Sequence, residues 1–151
     1  MAAVPVEEYV CTRIRRAEQA LMGHHEAVLR GYGLTMTQYT VLLTLSRDDA
    51  MSGAQLARAT GVTQQSMATV LTGMQNKGLI DRAPSPMHAK VLITTLTPSG
   101  RDLLDRAYQE VIVLERALTD RFTPDEHKLF CEFLDRATAT LIQQTPTAHS
   151  S

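Results

Sequence analysis

Apolar side chains recur at steps of three and four residues through most of the chain, which is the spacing of one face of an α-helix. The pattern predicts a long first helix over about residues 6–31 and two long helices over about 98–143. The first stripe consists of Val6, Val10, Ile14, Ala17, Leu21, His25 and Val28. The later stripes consist of Leu103, Leu104, Ala107, Tyr108, Val111, Leu114 and Leu118, then Leu129, Phe130, Phe133, Leu134, Ala137 and Leu141. A mainly α fold follows.

Short polar motifs mark where several helices begin. Capping boxes, in which a hydroxyl and a carboxylate or amide three residues later satisfy free backbone N–H groups, stand at Thr35–Gln38, Ser52–Gln55 and Thr123–Glu126. Thr97–Pro98 provides a cap followed by a proline at the first helical position. The middle of the chain therefore holds further, shorter helices.

Two of these shorter helices are separated by a glycine turn. The first follows Ser52 and must stop at Gly61, and the second opens at Thr63 and closes at Gly78. Such a pair predicts a helix-turn-helix, whose second helix places its N-terminal residues at base edges in the major groove. The polar face that would read DNA consists of Thr63, Gln64, Gln65, Ser66 and Thr69, and glutamine can pair with adenine.

The helical pattern breaks once, between Leu79 and Leu96. Two runs of β type, 79–82 and 91–96, flank a tip with two prolines, which we expect to lie outside the strands. A hairpin directly after a recognition helix predicts a wing. It would carry Arg82, His88 and Lys90 towards phosphates and the minor groove. The alternative is a hairpin that only covers an edge of the core.

Charge is unevenly distributed although the net charge is only -1. The segment 52–101 holds five basic residues, including Lys77, and one acid, so its charge is +4 and that of the remainder is -5. The basic segment is a candidate footprint for double-stranded DNA, with a solvated basic face as the alternative.

Several classes of protein are disfavoured by what the sequence lacks. No apolar run of about 18 residues could span a bilayer, and no signal peptide opens the chain, so we expect a cytoplasmic protein. We find no nucleophile elbow, phosphate loop or metal-ligand set, so we expect no enzyme, no cofactor and no metal site. A length of 151 residues favours a single domain.

Over nearly its whole length the chain resembles the MarR family of winged-helix transcription regulators. The matching residues are Leu34–Thr35 with Gln38 and Val41–Leu42, then Leu56–Ala57, Val62–Met67, Met74–Ile80, the wing, and Leu96–Gly100. The resemblance implies one MarR-type domain over 1–151, with a winged helix-turn-helix lobe at about 35–97, dimerisation helices at about 6–31 and 98–143, and a disordered tail at 144–151. It also implies a homodimer that represses transcription from an inverted-repeat operator and is released by a small-molecule ligand.

The sequence departs from the family pattern in its basic residues. The wing positions where members carry an Asp and an Arg read His88, Ala89 and Lys90, and recognition-helix positions that are often basic read Thr69 and Gly73. Fewer cations neutralise fewer phosphates, so we expect weak non-specific binding. These departures leave open a winged-helix dimer used for protein interaction.

The resemblance also indicates what the regulator senses. A small aromatic or phenolic effector would lie in a crevice walled by the first two helices, with His24, His25, Tyr32 and Tyr39 as lining residues. The alternative is that one histidine packs in the core and the other is solvated.

A thiol offers a second sensing hypothesis. Cys11 resembles the peroxide-sensing cysteine of one branch of the family, although arginines follow it here. Buried structural thiols are the alternative, and we predict that Cys131 belongs to the core.

Overall fold

The computed structural model describes residues 9–87 and 89–144. It contains six helices and three strands within this range. Along the chain, a pair of helices precedes the first strand, a second pair separates it from the other two strands, and a third pair follows them. The helices are α1 Val10–Gly31, α2 Met36–Arg47, α3 Gly53–Thr60, α4 Gln64–Asn76, α5 Pro98–Thr119 and α6 Pro124–Gln143. The strands are β1 Met51–Ser52, β2 Ile80–Pro84 and β3 Leu92–Leu96. The mainly α fold with a small β-wing is confirmed.

The predicted capping motifs are all present. At the starts of α2, α3 and α6, the hydroxyls of Thr35, Ser52 and Thr123 accept hydrogen bonds from the backbone N–H three residues later. The side chain of that later residue accepts a hydrogen bond from the backbone N–H of the capping residue. The Thr97 hydroxyl accepts from the Gly100 N–H at 3.0 Å and donates to the Gly78 carbonyl at 2.7 Å. This cap therefore also fixes the start of α5 to the turn after α4.

The first helix begins later than predicted. Tyr9 has extended backbone angles and precedes Val10, so α1 starts about four residues after the position that the apolar stripe indicated. Val6 and the rest of residues 1–8 lie outside the described residues, as does the predicted tail beyond Gln144.

The chain divides into two compact units, one ending at Val111 and the other beginning at Ile112. In the first unit a single apolar core joins the helix-turn-helix to the sheet. Its most buried large side chains are Leu29, Val41, Leu42, Leu45, Leu56, Met67, Leu71, Met74 and Ile80. Because α4 contributes three of them, its buried face is fixed and its polar face is displayed at a defined orientation.

The sheet is antiparallel with the order β1-β3-β2. Strand β1 was not predicted from the sequence, and it pairs Met51 with Thr94 and Ser52 with Ile93. Ser52 is thus both a strand residue and the cap of α3. The expectation that both prolines lie outside the strands is wrong for Pro84, which ends the edge strand β2 opposite Leu92, where a missing N–H is tolerated.

The second unit contains the end of α5 and all of α6, and α6 buries no residue in the single chain. Phe122 and Phe130 stack with their ring centroids 5.3 Å apart. The prediction that Cys131 belongs to the core is wrong for the described residues: the thiol is exposed, on a helix that buries none of its residues among them.

Candidate DNA-binding surface

The N-terminal end of α4 displays the predicted reading residues. Gln64 and Gln65 are exposed in the first turn, and the Thr63 hydroxyl accepts from the Ser66 N–H at 3.1 Å. The same hydroxyl donates to the Ser66 Oγ at 2.9 Å, so Thr63 and Ser66 are partly occupied in capping the helix. The two glutamine amides are therefore the groups best placed to meet a partner.

Thr69 stands one turn further along the exposed face of α4. Its hydroxyl makes a long bond to the Gln65 carbonyl at 3.4 Å. A hydroxyl bonded to the backbone is less free to make a polar contact, and the threonine methyl group can contact a thymine methyl group.

Lys77 follows the far end of the recognition helix. Its Nζ donates a hydrogen bond of 2.9 Å to the Gly33 carbonyl in the turn after α1. The ammonium group therefore ties the end of α4 to the end of α1, with two of its three N–H donors left for a phosphate. Sequence reasoning gave Lys77 only a DNA-binding role and missed this contact, because partners 44 residues apart leave no local signal.

Arg82 lies on the inner face of the sheet. It pairs with the fully buried Thr94 and follows the fully buried Ile80 by two residues, so all three belong to the core-facing side. The Arg82 Nε and the Thr94 hydroxyl oxygen are both buried and have no hydrogen-bond partner among the described residues. The Arg82 Nε is therefore not accessible to a binding partner in this conformation. The alternation of β-strands would have revealed this from the sequence.

The other two predicted wing residues differ in what can be said of them. Lys90 is exposed in the turn before β3. His88 lies outside the described residues.

The four predicted effector-lining residues are not equally accessible. Tyr39 is buried, at 6% exposure, and Tyr32, His24 and His25 are half-buried. The His24 and His25 rings meet edge to face with centroids 6.1 Å apart, and His24 Nε2 and His25 Nδ1 are buried without a described hydrogen-bond partner. Both histidines are thus partly packed, which differs from the alternative of one packed and one solvated.

Burial changes two pKa values in this region. The pKa of His25 is lowered below its ordinary value of 6.5, mainly because the ring is partly buried and to a smaller extent because His24 is close to it. Burial, followed by the nearby Tyr108, raises the pKa of Tyr39, and Arg47 partly opposes that rise. Both shifts favour the neutral form of the side chain.

Neither of two open cavities is lined by those four residues. One, of ≈ 420 Å³, lies between the end of α1, the start of α2 and Lys77. The other, of ≈ 440 Å³, lies along the first half of α1. The effector site therefore stays a prediction.

The thiols are both accessible in the single chain. Cys11 and Cys131 are exposed and free, so the alternative of two buried structural thiols is wrong here. The Cys131 sulfur lies 3.9 Å from Nε2 of His127, one helical turn away. Within residues 9–87 and 89–144 no group of three or more His, Cys, Asp or Glu side chains could hold a metal ion.

Comparison with known proteins decides the family. The model of the MarR family matches residues 32–90. An HTH-type transcriptional repressor of Mycobacterium tuberculosis is 34% identical over 110 residues, which cover 73% of this chain and 79% of that repressor. This chain belongs to the MarR family.

Solved structures agree on the fold of this MarR-family protein. BpsR of Bordetella bronchiseptica superposes with a TM-score of 0.77 at 22% identity, covering 91% of this chain and 98% of that one. A mutant MarR of Escherichia coli, complexed with operator DNA, superposes with a TM-score of 0.76 at 20% identity, covering 89% and 99%. At such identities the likeness concerns the fold alone.

Family membership makes the protein a DNA-binding transcriptional regulator and not an enzyme. Among the described residues no helix is both long and apolar enough to cross a membrane.

Proposed function

We propose that this MarR-family protein is a repressor that binds an inverted-repeat operator as a homodimer, with the N-terminal end of α4 in the major groove. The observation that carries the proposal is the pair of exposed amides, Gln64 and Gln65, on a helix whose opposite face is fixed in the core. A rigid helix positions its side chains for base contacts at little entropic cost.

Gln65 provides the direct test. An amide that pairs with adenine contributes about 1–3 kcal/mol of discrimination, so Gln65→Ala should weaken operator binding about tenfold or more. Gln75→Ala is a matched control, because Gln75 is also exposed and lies at the other end of the same helix. Fluorescence anisotropy on the duplex flanking the protein's own gene, against a scrambled duplex, measures both. Equal losses in the two variants would contradict the assignment of the reading end.

We propose that the homodimer forms through α1, α5 and α6 as parts of one MarR-type domain. The apolar side chains of the second unit support this proposal, because Phe133 is 51% exposed in the single chain and Val113 is 55% exposed. Leu118, Leu129, Phe130, Leu134 and Ile142 are exposed with them. An apolar surface of this extent is normally covered by a partner. A second copy of the chain is the partner that a two-fold operator requires.

Sedimentation equilibrium tests the dimer. Phe133→Asp should give a monomer and abolish operator binding, because a charge in an apolar interface must be desolvated. Lys128→Asp introduces the same carboxylate at an exposed, already charged position of α6, and this variant should remain a dimer. A Phe133→Asp dimer of normal affinity would refute the interface.

We propose that a small aromatic carboxylic acid releases the repressor from DNA. BpsR, whose DNA binding is regulated by 6-hydroxynicotinic acid, supports this chemical class. The neutral His25 beside His24 supplies ring nitrogens that lack a described hydrogen-bond partner, as a hydrogen-bonding ligand requires. Titration of the protein–operator complex with a panel of hydroxylated benzoates and nicotinates should lower anisotropy for at least one acid, and His25→Phe should lose that response while still binding DNA.

A thiol-sensing regulator is the second candidate, favoured by the exposure of Cys11. Peroxide treatment should then release the operator from the wild type and from Cys131→Ser but not from Cys11→Ser. Binding that survives full oxidation of both thiols excludes this candidate.

A further inference from the structure

The outer end of the wing is apolar. Met87 is 84% exposed, and Val91 and Leu92 are 40% and 42% exposed on the returning side of the hairpin. The exposed Pro84 and Pro86 complete the group, which we name the wing end. Isolated exposed apolar side chains are ordinary, but several of them around the tip of one hairpin indicate a binding surface.

Backbone contacts of Ser85 hold the described residues on the two sides of the tip. The Ser85 N–H donates to the Val91 carbonyl at 2.7 Å, which closes the hairpin beyond β2 and β3. The Ser85 hydroxyl accepts from the Met87 N–H at 3.2 Å. Because the prolines on each side of Ser85 have fixed φ angles, the backbone before Met87 is constrained and loses little entropy when Met87 binds.

Charge and chain continuity select the partner. Lys90 stands exposed beside the wing end, inside the segment 52–101 that carries +4. Only three residues separate the wing from α4, whose other end carries the proposed reading residues. The cation attracts an anionic polymer, and the apolar side chains need a site that excludes water. The minor groove of DNA combines negative phosphates with base steps between which apolar side chains can insert.

We propose that Met87 is a minor-groove wedge that enters a flexible pyrimidine–purine step next to the base pairs contacted by α4. This inference rests on the proposed operator binding. A methionine suits the role because its unbranched thioether adapts to an irregular gap. Insertion partly unstacks the step and bends the duplex, so the sequence at that step is read through its deformability.

The wedge differs from a cationic wing in how salt affects it. Phosphate contacts release counterions and weaken as salt rises, whereas an apolar contact releases none. Met87 therefore supplies affinity that persists at high salt, while Lys90 supplies the part that salt removes. The two contributions separate in one experiment.

The experiment uses an operator selected by the wild-type protein from a pool of random duplexes. Met87→Gln should weaken binding about tenfold at every salt concentration, the lower end of what burying one methionine contributes. Met87→Leu conserves volume and apolarity and should retain affinity within about twofold. Lys90→Ala should instead reduce the salt slope by about one. Both positions are exposed, so equal melting temperatures are expected for the three variants and confirm that each variant folds.

A second readout locates the wedge on DNA. With 2-aminopurine placed at each step of the operator in turn, fluorescence should rise at one pyrimidine–purine step on binding of the wild type or Met87→Leu, and not of Met87→Gln. If Met87→Gln binds as tightly as the wild type, or changes only the salt slope, the wedge is overturned. A change in oligomeric mass without a change in DNA binding would assign the wing end to a second copy and also overturn it. A wild type that selects no operator overturns the wedge and the proposed function together.

Discussion

Gly100 is the position where one added methyl group should damage the fold most. It is buried in the first turn of α5, and a Cβ atom built there would overlap the Leu79 carbonyl oxygen. The same Cβ would lie 2.9 Å from Leu96 Cδ1 and 3.0 Å from the Leu79 carbonyl carbon. Leu79 O already accepts the Thr97 N–H at 3.2 Å, so the obstacle is fixed backbone and not the movable end of a side chain.

The cost of Gly100→Ala follows from that geometry. Overpacking a well-packed site costs about 1–3 kcal/mol, and the upper end applies because α5 must move away from the turn after α4. A loss of about 3 kcal/mol corresponds to a melting temperature lower by roughly 6–12 °C for a chain of this size. The helix propensity of alanine returns at most about 1 kcal/mol.

Thermal unfolding followed by circular dichroism at one fixed protein concentration measures the effect. Gly73→Ala is the control, because Gly73 lies inside α4 and a Cβ there meets nothing within 4 Å. That substitution should stabilise the protein by about 0.5–1 kcal/mol. If Gly100→Ala melts within about 1 °C of the wild type, the inferred close approach of α5 to Leu79 is wrong.

Two further predictions concern buried polar groups in the first unit. Thr94→Val should stabilise the protein by about 1 kcal/mol in urea unfolding, since it removes a buried hydroxyl that lacks a described partner and keeps the shape of the side chain; a destabilised variant would show that the hydroxyl is satisfied. Because the pKa of His25 is lowered in the folded state, the unfolded chain binds more protons below pH 6.5, and stability should fall as pH drops from 6.5 through the folded pKa and be fully present above 6.5. Melting temperatures at pH 5.5 and 7.5 should differ less in His25→Phe than in the wild type, and an unchanged difference would refute the linkage.

Elements specified by neighbouring residues were predictable from the sequence. The capping boxes at Thr35, Ser52 and Thr123 form as predicted because both partners lie within one helical turn. The glycine turn at Gly61 and the helix end at Gly78 were predictable for the same reason, since both adopt positive φ angles that favour glycine.

Features that depend on distant partners were not predictable. Strand β1 has two residues and exists only because β3 pairs with it, so no periodicity could reveal it. Apolar spacing on α6 predicted a buried face, but spacing alone does not say whether the cover comes from the same chain, which is why Cys131 was misplaced. In the candidate DNA-binding surface, the exposed glutamines were predictable and the bond from Lys77 to Gly33 was not.

The double role of Ser52 links the wing to the helix-turn-helix mechanically. Its backbone belongs to the strand beside β3, and its hydroxyl accepts from the Gln55 N–H at 3.3 Å. A change in the Ser52 backbone that breaks its pairing with β3 also displaces the hydroxyl that caps α3, so opening of the two motifs is coupled at this point. In native-state hydrogen exchange the amides of β3 and of the first turn of α3 should therefore exchange together, as one cooperative unit.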